Sequence, residues 1–192
     1  MAKTESAMVT LGTVAPDFAL PDVRTNQIIS LDQHKGKTAT VIAFICNHCP
    51  YVKHIQDELP RLARDFAKQG VSLIAINAND VEQYPDDSPE NMQITAQSLG
   101  YNFPYLFDET QEVATAYQAR CTPDFFVFDD QLRLVYRGQL DDSRPSNQIP
   151  VTGESIRQAL EALIQHTPIS SVQKPSLGCN IKWKNDSVYT SS

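Results

Sequence analysis

An α/β layered domain with a central mixed β-sheet flanked by helices is the fold class that the sequence predicts, on three observations. Residues Ala39 to Ile45 and Val71 to Asn77 are nearly unbroken apolar runs rich in β-branched residues, as strands buried on both faces are. Between them, from Pro50, the apolar period becomes helical. Later, Phe125 to Phe128 and Leu132 to Tyr136 flank Asp129-Asp130-Gln131 as the strands of an antiparallel hairpin would, which makes the sheet mixed.

Taken in order, Gly12 to Pro21 carries turn formers around Phe18 and Leu20, and Gln27 to Leu31 suits a short strand before the polar turn Asp32 to Lys37. After the first buried strand, Val52, Ile55, Leu59, Leu62, Ala63 and Phe66 share one helix face, with Lys53, Asp57, Arg61, Arg64 and Asp65 mostly opposite. Pro60 lies inside that helix and lacks a backbone donor, so a kink is expected near Gln56 to Glu58. Gly70 closes the helix before the second buried strand. The segment Asn79 to Asp87 is polar and irregular; Ser88 as N-cap and Pro89 at the first helical position then open a helix to about Leu99. Tyr101, Phe103, Tyr105 and Phe107 alternate with period two, as in an edge strand or a docking surface. Asp108 and Gln111 have capping-box spacing for a short helix through Tyr117, and Thr152 is placed to cap a last helix bearing Ile156, Leu160, Leu163 and Ile164. One domain over 12–166 is expected, with tails at 1–11 and 167–192, the second able to dock through Trp183.

Composition narrows the function. With 192 residues, 41% apolar and 20% charged, the chain can bury a core large enough that its four cysteines are not needed as staples. A net charge of −7 without a Lys/Arg cluster argues against nucleic-acid or anionic-membrane surfaces and favours proteins or small neutral molecules as partners. The start, MAKTESAMVTLGTVAPDFALP, has no apolar core behind a basic end, and no run approaches the roughly 20 apolar residues of a spanning helix. A soluble, unexported protein of the cytoplasm is the expectation, and there a cysteine pair is catalytic, redox-sensing or metal-binding rather than a permanent cross-link.

Cys46-Asn47-His48-Cys49 is a C-x-x-C where the first buried strand gives way to a helix. A helix N-terminus offers unpaired N–H groups and about half a positive charge, which is expected to lower the pKa of Cys46 below its free value near 8.5. The spacing lets Cys49 reach the sulfur of Cys46 and resolve a mixed disulfide. The competing readings are half of a structural metal site and two ordinary buried cysteines. His48 either tunes the pair or is a solvated residue at the helix start. Downstream, Cys121-Thr122-Pro123 puts an X-Pro bond directly before a core strand, a place suited to a cis peptide. The acidic stretch Asp80, Glu82, Asp86, Asp87, with Tyr84-Pro85 inside it, lacks the glycine and positions of an EF-hand and reads as a solvated loop.

APDF at Ala15 to Phe18, the strand-CxxC-helix with its internal proline, VSLIAIN, and T-P-x-F at Thr122 to Phe125 together resemble the thioredoxin-like superfamily. More narrowly, they are similar to its redoxin branch, which includes peroxiredoxins and thioredoxin-like disulfide reductases. C-N-H-C-P-Y-V, the N-D-x-x-x-Y-P-x-D-S stretch from Asn79 and the late G-C-N-I-K-W from Gly178 resemble a group labelled peroxiredoxin-like. The resemblance implies a thioredoxin-like three-layer domain in which Cys46 attacks, Cys49 resolves, Pro123 is a cis-proline and Thr122 presents backbone groups to an extended substrate segment. It also implies protein disulfide substrates, a thiol reductant system and no organic cofactor.

Two departures matter. Peroxiredoxins carry Thr or Ser three residues before the peroxidatic cysteine, Pro seven before it and a remote Arg; here those positions hold Ala43, Ala39 and Pro123. Thioredoxins carry a buried Asp and a Trp where this chain has Thr40 and Ile45, which leaves His48, His54 and Glu58 as candidates for moving the proton of Cys49. Through the implied fold Cys121 lies near the pair, as a third redox cysteine, as a metal ligand with Cys46, Cys49 and His48, or as packing. Cys179 reaches the site only if its tail is anchored there. The leading expectation is thus a thiol-disulfide oxidoreductase. The alternatives are an antioxidant, peroxiredoxin-like thiol peroxidase acting through Cys46 and a non-catalytic metal- or cluster-binding module.

Overall fold

The structure, a computed structural model, describes residues 3–184. Its strands are β1 (Lys3–Glu5), β2 (Ala19–Pro21), β3 (Ile28–Ser30), β4 (Ala39–Phe44), β5 (Val71–Asn77), β6 (Tyr105–Phe107), β7 (Cys121–Thr122), β8 (Asp124–Asp129), β9 (Leu134–Gly138) and β10 (Leu177–Asn180). The helices are α1 (Leu31–His34), α2 (Pro50–Ile55), α3 (Glu58–Ala67), α4 (Pro89–Ser98), α5 (Glu112–Ala116) and α6 (Glu154–Ile164). No helix among the described residues is long and apolar enough to cross a membrane.

The main sheet has the order β6-β5-β4-β8-β9, parallel from β4 to β6 and antiparallel through β8 and β9, so the mixed sheet expected from the hairpin is present. Strand alternation divides the core between its two faces. Val41, Ala43, Leu73, Ala75, Phe125 and Val127 pack with residues of α2, α3, α4 and α6. Ile42, Phe44, Ile74, Ile76, Phe126 and Phe128 pack with Phe18, Leu31 and Tyr117. Burial of each such phenylalanine contributes roughly 1.5–3 kcal/mol. With helices on both faces, the unbroken apolar character of β4 and β5 is accounted for.

At Pro60 the expected kink is a break: α2 ends at Ile55 and α3 begins at Glu58. Two caps differ from expectation. Gln111 occupies the N-cap of α5 at φ 64°, and Asp108 instead accepts from the Ala114 N–H at 2.8 Å. Gly153, at φ 69°, is the N-cap of α6 in place of Thr152, because Asp141 captures the N–H groups of both Thr152 and Gly153, at 2.8 and 2.7 Å.

The aromatic alternation does mark an edge strand, β6, but Tyr101, Phe103, Tyr105 and Phe107 are all buried and form no docking surface. The segments beyond 12–166 are also structured. β1, β10 and β7 form a small antiparallel sheet in which Cys179 lies opposite Thr122. Gly178 permits this approach: a Cβ there would meet the Thr122 carbonyl oxygen at 2.0 Å. Trp183 packs at the margin of the core on the Phe18 side.

Candidate active site

Strand pairing runs to Ile45, whose N–H donates to the Ile76 carbonyl, and the chain then turns through Cys46, Asn47 and His48. Cys49 is the N-cap of α2, with Pro50 in the first turn, where its missing donor costs nothing. Asp87 holds this turn. Its Oδ1 accepts from the N–H groups of Asn47 and His48, at 2.7 and 3.2 Å. Its Oδ2 accepts from His48 Nδ1 at 2.5 Å and Asn79 Nδ2 at 2.8 Å. Burial opposes ionisation of Asp87, yet the bonds from His48 and Asn79 and the Asn47 N–H hold its carboxyl below the usual range. An ionised carboxylate only accepts, so His48 carries its proton on Nδ1. The imidazole stacks on Tyr84, centroids 5.2 Å apart. Asn47 is fixed further by the Tyr105 hydroxyl, which donates to Oδ1 at 3.1 Å, and by the Asp86 carbonyl, which accepts from Nδ2 at 2.8 Å.

Across from the turn lies the Thr122-Pro123 peptide, which is cis. Cys46 Sγ is 3.3 Å from Thr122 Oγ1, and the Cys49 thiol donates to the Thr122 carbonyl at 3.1 Å. Both residues are buried, Cys46 at 2% exposure and Cys49 at 0%. All four cysteines are thiols. Cys46 and Cys49 titrate as a pair, one proton leaving readily and the other held by the resulting thiolate.

α2 starts only at Pro50, and of the coupled pair Cys49 is the sulfur held low, by the Cys46 and Cys179 thiols beside it against burial. Cys46 is pushed up by the neighbouring Cys49, by burial and by the Asp87 charge, while Thr122 acts in the other direction.

Several other expectations change. Thr122 does not offer a free backbone edge, because its register partner is Cys179 of the chain's own β10. The third thiol packed with the pair is Cys179, which lies opposite Thr122 in β10. Cys121 turns its thiol to the Pro123 carbonyl at 3.6 Å, and burial pushes its pKa up strongly. The metal set Cys46, Cys49, Cys121 and His48 therefore does not assemble. Among the described residues, the group whose donor atoms lie within 4.8 Å of one another is Cys46, His48 and Asp87. In that group Asp87 already accepts four hydrogen bonds, as many as a carboxylate's lone pairs allow. His54 is engaged with Ser143 at 2.7 Å, and the buried Glu58 pairs with Arg157 at 2.6 Å, so both serve packing between elements.

Asp87, Asn79 and Tyr84 are the site residues that the sequence reading missed: Asn79, Asp80 and Asp87 are buried, while Glu82, Gln83, Pro85 and Asp86 between them are exposed as in the solvated loop expected. One signal was available: neighbouring parallel strands bring the loops at their C-terminal ends together, so a polar loop after β5 must adjoin the cysteine turn after β4.

Residues 11–137 match the AhpC/TSA family. The chain is similar to an uncharacterized conserved protein from Geobacillus kaustophilus, at 62% identity and TM-score 0.94, over 96% of this chain and 97% of that one. It is 25% identical over 162 residues to the thiol-disulfide oxidoreductase ResA of Geobacillus thermodenitrificans, covering 83% of this chain and 82% of the relative. A thiol:disulfide interchange protein of the thioredoxin family from Chlorobium tepidum superimposes with TM-score 0.62 at 17% identity, over 82% of this chain and 99% of that one, which shows a shared thioredoxin-like fold.

Proposed function

Since this chain belongs to the AhpC/TSA family, we propose that it is a thiol-disulfide oxidoreductase in which Cys46 meets a substrate disulfide and Cys49 resolves the product. The observation that carries this is the pair of thiols hydrogen-bonded to Thr122, beside the cis Pro123. Attack moves the proton that Cys46 holds at rest to Cys49, and Thr122 Oγ1, 3.3 Å from Cys46 Sγ, is placed to donate to the Cys46 thiolate so formed. That sulfur attacks one sulfur of the substrate; a mixed disulfide forms and the other substrate sulfur leaves with a proton. Cys49 then attacks Cys46, releasing the second substrate thiol and leaving a Cys46–Cys49 disulfide for an external dithiol to reduce. The relative named thiol-disulfide oxidoreductase ResA supports this chemistry.

Peroxide chemistry is the weaker reading, because Ala43, Ala39 and Pro123 stand where a peroxidatic site has its activating residues. Insulin reduction driven by dithiothreitol is expected to run at least a hundredfold faster with the wild-type chain than with Cys46→Ser. Equal rates in the two proteins would remove the proposal, and turnover of hydrogen peroxide with a thioredoxin system in its place would establish the peroxidase.

A further inference from the structure

We propose that Cys179 is a third redox centre: it attacks Cys49 in the Cys46–Cys49 disulfide, forming a Cys49–Cys179 disulfide and releasing Cys46 as a thiol. This relay rests on the thiol-disulfide reading above. Its geometric basis is that the three cysteines pack in one cluster around Thr122: Cys46 Sγ lies 3.3 Å from Thr122 Oγ1, Cys49 Sγ 3.1 Å from its carbonyl oxygen, and Cys179 is its partner in β10. The position is built. β10 runs antiparallel to β7 with Cys179 opposite Thr122, on the backbone edge where the resemblance placed a substrate strand. Gly178 allows the close approach, and β1 covers the other edge of β10. Beyond the strand, the Lys182 N–H donates to Asn79 Oδ1 at 2.9 Å, and its carbonyl accepts from Asp80 N and Gln111 Nε2, both at 2.8 Å.

Oxidation of the pair prepares Cys179 to react. In the reduced protein its thiol is pushed up to about 12 by burial and by the neighbouring Cys49 and its charge, against the opposing pull of Lys182. Once Cys49 is bonded to Cys46, it carries no charge. Burial alone then opposes Lys182, and Cys179 becomes the more readily ionised thiol. In the exchange the Cys49–Cys179 bond forms as the Cys46–Cys49 bond breaks. The electron pair leaves on Cys46, which takes up the proton given by Cys179, so no oxidant is consumed beyond the one that made the first disulfide. Cys121 takes no part, since its thiol faces the Pro123 carbonyl.

Disulfide mapping tests the relay on the full wild-type chain. Reduced protein receives one equivalent of 2-hydroxyethyl disulfide, is quenched in acid, alkylated in denaturant, digested and analysed by mass spectrometry. A Cys49–Cys179 cross-linked peptide is expected beside the Cys46–Cys49 form, at one tenth or more of the oxidised pool. Before denaturation, Cys46 of the oxidised wild type should react with a maleimide at least tenfold faster than Cys46 of oxidised Cys179→Ala. A Cys46–Cys49 disulfide with Cys179 fully alkylated, or equal maleimide rates, overturns the relay alone. If none of the three cysteines enters a disulfide, both the relay and the thiol-disulfide reading fall.

Discussion

Asp87 shows how much of the site depends on a single buried carboxylate. Its four accepted hydrogen bonds fix the backbone of the cysteine turn, the tautomer of His48 and the side chain of Asn79. Because its pKa is lowered in the folded state, Asp87 contributes stability that is fully present above the unfolded carboxylate value, about 3.9, and is lost as pH falls through the folded value. Asp87→Asn leaves a carbonyl for the two backbone donors but sets an amide N–H against the donor at His48 Nδ1. It is expected to cost about 2–3 kcal/mol at pH 7 in urea denaturation, a difference that shrinks toward pH 3. A constant difference across that range would show that the carboxylate charge is not what matters.

At the scale of elements, β10 is the component that brings the tail in. The sequence reading left this strand in a tail able to dock through Trp183; it pairs with β7 and places Cys179 opposite Thr122. Gly178→Ala puts a methyl group 2.0 Å from the Thr122 carbonyl oxygen, well inside contact distance. β10 is therefore expected to lift from β7, and alkylation of Cys49 and Cys179 in the native reduced protein should rise at least tenfold. Alkylation unchanged from wild type would mean that β7 gives way without releasing the strand. The break at Pro60, by contrast, was readable from the sequence, since a missing backbone donor acts within its own helix.

For the whole molecule, pH dependence of stability separates the buried acids. Asp124 opens β8, fully buried, and burial pushes its carboxyl well above the usual range despite bonds from the Arg120 and Phe125 N–H groups and the Arg120 charge. The folded protein thus holds a proton there that the unfolded chain has lost above about pH 4, and this site makes the fold less stable as pH rises toward the folded value. Asp124→Asn, which cannot ionise, should match wild type in urea at pH 4 and exceed it at pH 8. A variant no more stable than wild type at pH 8 would show that Asp124 is ionised in the fold at little cost.

The sequence by itself determined the sheet core, the helix that follows β4 and the place of Cys46 and Cys49 at the junction between them. Those features are written in local periodicity and in residues that act on their own neighbours, such as the alternation across β8 or Pro50 in the first turn of α2. Only the tertiary structure decided that Asp87 is buried against His48, that Asn79 faces the tail, and that Cys179 rather than Cys121 is the third thiol packed with the pair. Each of these is a polar or sulfur contact between segments far apart in the chain, set by which loops the parallel strands bring side by side and by how closely a glycine lets β10 approach. Such contacts have no period and leave no local pattern to read.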